Sequence, residues 1–154
     1  TGVVEWLASN EHIRFIDVFE KGVERAVLLE RRRQALMCDL FLTGINAVSM
    51  EGTLHWLDVV GNRIAPIADG PRDVILVAGR NKIVDTPALA EERIREIAAP
   101  LNAARQEATT PCVQTGKCSD CSSPQRVCNA RLTLHKCFPK GRITVVIIDA
   151  DAGL

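Results

Sequence analysis

Three short, almost uninterrupted apolar runs constrain the fold of this chain more than any other feature: Asp39-Leu40-Phe41-Leu42, Val74-Ile75-Leu76-Val77-Ala78 and Ile143-Thr144-Val145-Val146-Ile147-Ile148. Each is shorter than an ordinary helix and lacks the alternation of a half-solvated strand, so each suits a strand buried on both faces, as in a parallel sheet. Helical patterns lie between them. Residues 23–37 place Val23, Ala26, Val27, Ala35 and Leu36 on one stripe and Glu30-Arg31-Arg32-Arg33 on the wet side. A second helix starts at Thr86, a good N-cap followed by Pro87 at the first helical position. Its apolar stripe is Ala90, Ile94, Ile97, Ala98 and Leu101, Glu91 and Arg95 can pair on another face, and Pro100 should kink it. Apolar strands alternating with helices predict an α/β fold, a three-layer sandwich with a mainly parallel sheet.

The remaining segments are read more locally. Residues 3–8 suit the end of a helix, and residues 12–19 alternate as a strand with Ile13 and Phe15 inward. Met50-Glu51-Gly52 joins Ala47-Val48-Ser49 to Thr53-Leu54-His55-Trp56-Leu57 as a hairpin. With 154 residues, 47% of them hydrophobic, residues 1–154 suit a single domain with a core of its own. Nineteen basic residues balance nineteen acidic ones, with neither sign in a long block, which argues against nucleic acid or an anionic membrane as partner. No apolar run approaches the ~20 residues that span a bilayer. The first residue is Thr1 rather than Met, which points to a processed or truncated chain.

Five of the six cysteines crowd between Cys112 and Cys137. A disulfide framework would be spread through the fold, so the crowding favours a bound metal in a reducing, cytoplasmic setting. Cys112, Cys118, Cys121 and Cys128 are spaced C-x5-C-x2-C-x6-C within residues 110–129, a polar stretch in which backbone amides can turn toward sulphur and Lys117 and Arg126 offset negative charge. Four thiolates satisfy an iron–sulphur cluster or tetrahedral zinc. Zinc ribbons offer two short cysteine pairs, whereas only Cys118 and Cys121 form one here, so a cluster is favoured and zinc stays open. Cys137 is a spare thiol, on a strand or as an alternative ligand, and Cys38 reads as a core residue.

Two apolar strands each run into a Gly-Asn-type loop. Thr43-Gly44-Ile45-Asn46 follows one and Gly79-Arg80-Asn81-Lys82 the other. If the strands are parallel, both loops emerge at the carboxyl edge of the sheet, where open α/β folds bind ligands. A pocket lined by Asn46, Arg63, Asn81 and Lys82 is expected there, with Gly44 and Gly79 allowing close approach and Asn62 and Arg63 folding back from the hairpin side. Asp58 is the nearest carboxylate, although capping a turn explains it more simply than proton transfer. His12, His55 and His135 fall in strand-like stretches, for which half-buried or surface positions suffice. No nucleophile elbow, zinc-protease helix or dinucleotide glycine loop is present.

Taken together, Thr43-Gly44-Ile45-Asn46-Ala47-Val48, Gly52-Thr53, Asp58, Gly61-Asn62-Arg63, Gly70-Pro71, Asn81-Lys82-Ile83-Val84, Ala99-Pro100-Leu101-Asn102-Ala103, Thr110-Pro111-Cys112, Thr115-Gly116-Lys117-Cys118, Asp120-Cys121, Cys128-Asn129 and Gly141-Arg142-Ile143-Thr144-Val145 resemble the LUD (lactate-utilisation) domain family. The resemblance covers the chain from about Asp39 onward. It implies a fold like the NagB, RpiA and CoA-transferase sandwich, membership of the family's cysteine-bearing branch through the four spaced cysteines, and work beside iron–sulphur oxidoreductase subunits on lactate or related acids. Cys137 matches no family cysteine. The resemblance also implies a preceding segment with a Gly-rich loop, without which the sheet and ligand site would be incomplete. A redox accessory or electron-transfer component with a cluster and a small anionic ligand is the first expectation. A CoA-transferase- or isomerase-like enzyme with structural zinc is the second, and a zinc-containing binding module without chemistry the third. Self-association is left open.

Overall fold

The computed structural model of the chain describes residues 2–154. Helices α1 (Val3–Ser9) and α2 (Arg25–Gln34) open the chain, and a 3-10 turn, Ala35–Met37, leads into β1 (Leu40–Gly44). The hairpin β2 (Ala47–Ser49) and β3 (Leu54–Asp58) follows, then α3 (Ile64–Ala68), β4 (Asp73–Gly79), a 3-10 turn at Arg80–Lys82 and β5 (Ile83–Val84). A long helical stretch comprises α4 (Pro87–Arg93), a π-helical turn Ile94–Ala98 and α5 (Ala99–Arg105). After α6 (Pro111–Thr115) come β6 (Ala130–Leu134) and β7 (Ile143–Ile148).

The three apolar runs are the three strands of one all-parallel sheet, in the order β1-β4-β7. The α/β class with a mainly parallel sheet therefore holds. The hairpin builds a second, mixed sheet in the order β5-β2-β3-β6, parallel between β2 and β5 and antiparallel elsewhere. Both sheets contribute to a core of Ile45, Trp56, Ile67, Val74, Leu76 and Ala78, on which Phe41, Ile143 and Val145 pack from the parallel side and Val48, Leu54 and Leu132 from the mixed side. Strand β3 is buried on both faces, because alternate residues point opposite ways. Trp56 enters the inter-sheet core, where its indole N–H donates to Gly44 O at 3.1 Å, while Leu57 packs with Ile94 and Ala99. The layers thus run parallel sheet, mixed sheet, helix. In the parallel sheet Leu40, Leu42 and Val146 are more than a third exposed.

Two connections hold the layers in register. Arg142 donates to the carbonyls of Pro66, Ile67 and Pro71 at 2.7–2.8 Å, tying the start of β7 to α3. Gly70 has φ +116°, and a Cβ there would lie 2.5 Å from Leu36 O, so the turn into β4 requires glycine.

The sequence reading needs four corrections. Residues 12–19 form turns and bends rather than a strand, and Ile13 is exposed. The alternation there is real, but no neighbouring strand offers a ladder to complete it. Helix α2 buries none of its residues, and burial begins only at Ala35. Cys38, expected in the core, is half-buried at the end of the 3-10 turn, where its thiol donates to the carbonyls of Ala35 and Leu40 and burial pushes its pKa up. The stripe of the long helix is also displaced. Ala90, Ile94 and Ala98 are buried as expected, but Ile97 and Leu101 are 45% and 48% exposed, and Ala99 and Ala103 are buried instead. The cause is the π turn, in which the Ala99 N–H reaches Ile94 O, one residue further back than in an α-helix. Pro100 has no N–H to offer Glu96 O and would crowd it, and the wider turn relieves both problems.

Candidate functional site

The carboxyl edge of the parallel sheet brings together most of the residues singled out there. Because β1 and β4 are parallel, with Thr43 beside Leu76 and Gly44 beside Val77, Gly44 and Gly79 leave the sheet on the same side. Asn46 follows at once. Its side-chain oxygen accepts from Leu57 N at 2.9 Å and Arg63 Nη2 at 3.2 Å, and its carbonyl accepts from Arg93 Nη1 at 2.6 Å. Asp58, at the end of β3, is 3% exposed and accepts from the backbone N–H groups of Arg63 and Ile64, both at 2.9 Å, and from Arg63 Nε at 2.7 Å. It is therefore the turn-capping aspartate of the simpler reading, and it also carries the charge that holds Arg63. Asn62 is half-buried in the turn before Arg63.

Asn81 is engaged in a different way. Its amide donates to Gly153 O at 3.2 Å and its oxygen accepts from Ala152 N at 3.1 Å, so it clasps the segment that follows β7. Gly79 permits this approach, since a Cβ there would lie 2.5 Å from Asn81 Oδ1 and 2.9 Å from Ala150 O. Asn81 therefore spends its amide on backbone groups, and the Asn46 side-chain oxygen is taken by Leu57 N and Arg63, because polar groups at a buried edge must first satisfy the chain.

Lys82 is the exception. It is 7% exposed, yet its ammonium has no hydrogen bond or ion pair among the described residues. Arg93, equally buried, lies nearby and donates through Nε to Asn81 O at 3.0 Å. Sequence reasoning missed Arg93, which looks like one more charge on a helix; its position three residues after buried Ala90 is the signal that could have found it. Burial, then repulsion from Arg93 and Arg63, lowers the Lys82 pKa from 10.5 to about 8. The unfolded chain consequently holds more protons than the folded one between those values, so stability contributed by Lys82 rises with pH through that window, and the full cost of burying the charge is felt below it. Relative to the parent, a Lys82→Met variant is expected to be more stable at neutral pH, with the gap closing as pH passes the ordinary lysine value. Urea midpoints measured across that range for both proteins check this, and a gap independent of pH would mean that the ammonium stays hydrated.

The four spaced cysteines also converge. Cys112, Cys118, Cys121 and Cys128 line one small pocket with Ala99, Thr110, Ser119, Asp120, Arg126 and Val127. All six cysteines are free thiols and half-buried. Cys112 lies in α6, a helical turn the sequence reading did not foresee, and its sulphur is 3.1 Å from Thr110 Oγ1. Asp120 has φ +46°, and its N–H points to Cys118 Sγ at 3.5 Å, an inward-turned amide of the kind expected. Arg126 clamps the loop, donating to Cys121 O, Cys128 O and Asp120 Oδ1 at 2.5–3.3 Å. Cys128 packs on Leu57, Ile94 and Ala99, and Asn129 N donates to Asp58 O at 3.1 Å, so the thiol pocket adjoins the end of β3. Ala99 reaches this pocket because the π turn rotates it there. Among the described residues, no three His, Cys, Asp or Glu side chains close onto a single-ion geometry. The donor set nevertheless fits a thiolate-bound centre: four thiols from one loop, an inward amide and an adjacent guanidinium. Cys137 stands apart, in the irregular loop after β6 rather than on a strand, with its thiol donating to Pro139 O.

The histidines divide. His12 lies in a turn and His135 just past β6, both exposed, whereas His55 is 1% exposed and wholly bonded, with Nε2 2.8 Å from Thr53 Oγ1 and Nδ1 3.0 Å from Glu91 Oε1. Ser49 Oγ extends this buried chain at 2.7 Å from Thr53 Oγ1. No helix among the described residues is long and apolar enough to cross a membrane.

Comparison with known proteins gives one result: the family model described as LUD domain matches residues 1–148, including the first 38 residues, ahead of the motifs. No curated protein and no solved structure gave a significant match.

Proposed function

The chain belongs to the LUD domain family, and from that premise we propose that it is a redox accessory or electron-transfer component of lactate or related organic-acid utilisation, acting in the cytoplasm beside iron–sulphur oxidoreductase subunits. The observation that carries this reading is the convergence of Cys112, Cys118, Cys121 and Cys128 on one pocket. These residues would hold an iron–sulphur cluster, which supplies one-electron transfer when bound. Arg126 keeps the two arms of the loop together and places positive charge beside the sulphurs, and the Asp120 N–H directed at Cys118 adds a dipole of the same sense. Both features would offset the negative charge of a thiolate-bound group held there. The carboxyl edge contributes Lys82, with Arg93 and Arg63 nearby, as a site for a small anion.

The second reading is an enzyme of CoA-transferase or isomerase type, with zinc in the loop and substrate at Lys82. Lys82, 7% exposed and without a hydrogen bond or ion pair among the described residues, favours it equally. The sequence spacing of the four cysteines, with Cys118 and Cys121 as the single short pair, favours the cluster. The test is protein purified without oxygen, assayed for iron, acid-labile sulphide and zinc, with a visible spectrum, alongside Cys118→Ser. Iron and sulphide with a visible charge-transfer band are expected in the parent, and loss of both in the variant. Stoichiometric zinc without colour would transfer the reading to the second alternative, and unchanged metal in Cys118→Ser would remove the four-cysteine centre.

A further inference from the structure

Resting on the reading of the carboxyl edge as an anion site, we propose that the Lys82 amine condenses with the carbonyl group of a small 2-oxo carboxylate whose carboxylate lies against the guanidinium groups of Arg93 and Arg63. Lys82 is more than nine-tenths buried, and nothing among the described residues pairs with its nitrogen. A lysine placed only for solubility would extend into water, and one placed for structure would meet a carboxylate. The one carboxylate held in this cluster, Asp58, is committed to Arg63 and to two backbone N–H groups. The cluster thus has three cations and one spent anion, and it lacks a negative charge.

The guanidinium groups retain capacity to supply the recognition. Arg93 uses Nε and Nη1 on the carbonyls of Asn81 and Asn46, which leaves Nη2 without an acceptor among the described residues. Arg63 uses Nε and Nη2, which leaves Nη1. Unused N–H groups on two guanidiniums suit a carboxylate. An amine desolvated beside other cations is a nucleophile, because the same surroundings that make its charged form costly leave a substantial neutral fraction near pH 8. A ligand satisfying both features carries a carboxylate and, within the reach of one small molecule, an electrophilic carbonyl carbon.

The step is balanced without a redox partner. The nitrogen lone pair attacks the carbonyl carbon, the carbon–oxygen double bond breaks, both amine protons leave with the oxygen as water, and a carbon–nitrogen double bond remains. Access lies beneath the segment after β7. Gly153 covers the amine closely enough that a Cβ there would lie 2.8 Å from Nζ, so glycine leaves the amine shielded by backbone alone. That segment is held at its start by the Arg80 N–H donating to Ala150 O at 3.1 Å, then by the Asn81 amide and by pairs from Arg80 to Asp149 and Asp151 at 3.3–3.5 Å, which are exposed and weak. It can therefore yield to a small ligand.

The experiment treats the full chain with pyruvate and sodium borohydride at mildly alkaline pH and maps the reduced adduct by peptide mass spectrometry. Lys21, Lys117, Lys136 and Lys140 serve as internal references. Lys82 is expected to be labelled on the order of tenfold above them, since its free-amine fraction is far larger even after allowing for the cover of Gly153. A parallel arm asks whether oxalate, which carries two carboxylates and no ketone, protects Lys82 from acetylation. Labelling at Lys82 that exceeds the other lysines and disappears in a folded Lys82→Met variant supports the proposal. Oxalate protection with no preferential pyruvate adduct overturns the imine while leaving the anion site standing. Failure of both overturns the anion reading as well.

Discussion

Asp58→Ala is expected to cost about 3–5 kcal/mol of folding stability, the range for breaking a buried charge pair by removing one partner. Three losses combine at that position. The backbone N–H groups of Arg63 and Ile64 begin α3 and have no intrahelical acceptor, so the carboxylate is their only partner among the described residues. The Arg63 guanidinium loses its counter-charge while Lys82 and Arg93 stay close. The third loss is geometric: Arg63 also donates to Leu57 O and Asn46 Oδ1, so its release loosens the end of β3 and the turn after β1 together. Asp58→Asn keeps one acceptor for the backbone and should cost roughly 1–3 kcal/mol, the range for a hydrogen bond to a charged group. Urea denaturation of both variants measures the difference. An alanine variant within ~0.5 kcal/mol of the parent would place Asp58 among ordinary surface residues and would undo the account of this edge.

Much of the parallel sheet was legible because an apolar run of five or six residues bounded by glycine or charge has few other places to go. The burial expected on both faces nevertheless fails at Leu40, Leu42 and Val146, which are more than a third exposed. Leu40–Gly44, Asp73–Gly79 and Ile143–Ile148 became neighbours in one sheet, and their common direction brought Gly44 and Gly79 to one edge. The cysteine pocket was legible for a chemical reason, in that thiols so crowded in a polar stretch have few reasons to be there except each other. The pairing of the hairpin with β5 and β6 into a second sheet was not legible, since it depends on long-range contacts that no local pattern records. Residues 12–19 failed for the complementary reason, carrying strand alternation without a partner strand. At the carboxyl edge the residues singled out in the sequence do lie together, but the hydrogen bonds they make there were not legible. Asn46 and Asn81 could be read as ligand groups only until the backbone groups around them were accounted for, and Arg93 was hidden among the charges of a helix.

Ile94→Ala is expected to cost ~2–5 kcal/mol through lost transfer free energy and the cavity left behind, whereas Ile97→Ala should cost no more than about 1 kcal/mol, since half its side chain is already in water. On the α-helical stripe of the sequence reading the two isoleucines share a face and should cost comparable amounts. The structure separates them at the π turn. Ile94 is 1% exposed and packs with Leu57 and Ala99, with Cys128 against the same cluster, whereas Ile97 borders an open groove with Leu101 and Val113. The pair therefore tests the turn itself, which no propensity scale foretells. Equal losses would mean that the helix keeps regular α geometry through Ile97. The unequal outcome has a consequence for the thiol pocket. The turn that exposes Ile97 is the one that directs Ala99 inward beside Cys112 and Cys128. Replacing Pro100 with alanine restores the missing N–H and removes the crowding that favours the wider turn, so burial should shift back toward Ile97 and Ala99 should withdraw from the thiols. Hydrogen exchange across Ile94–Ala98 would follow that change, as π-helical bonds close a wider and less stable ring than α-helical ones. A sheet-packed helix thereby also sets one wall of the cysteine site, and the sequence feature that couples the two is a proline inside a run that otherwise reads as an uninterrupted helix.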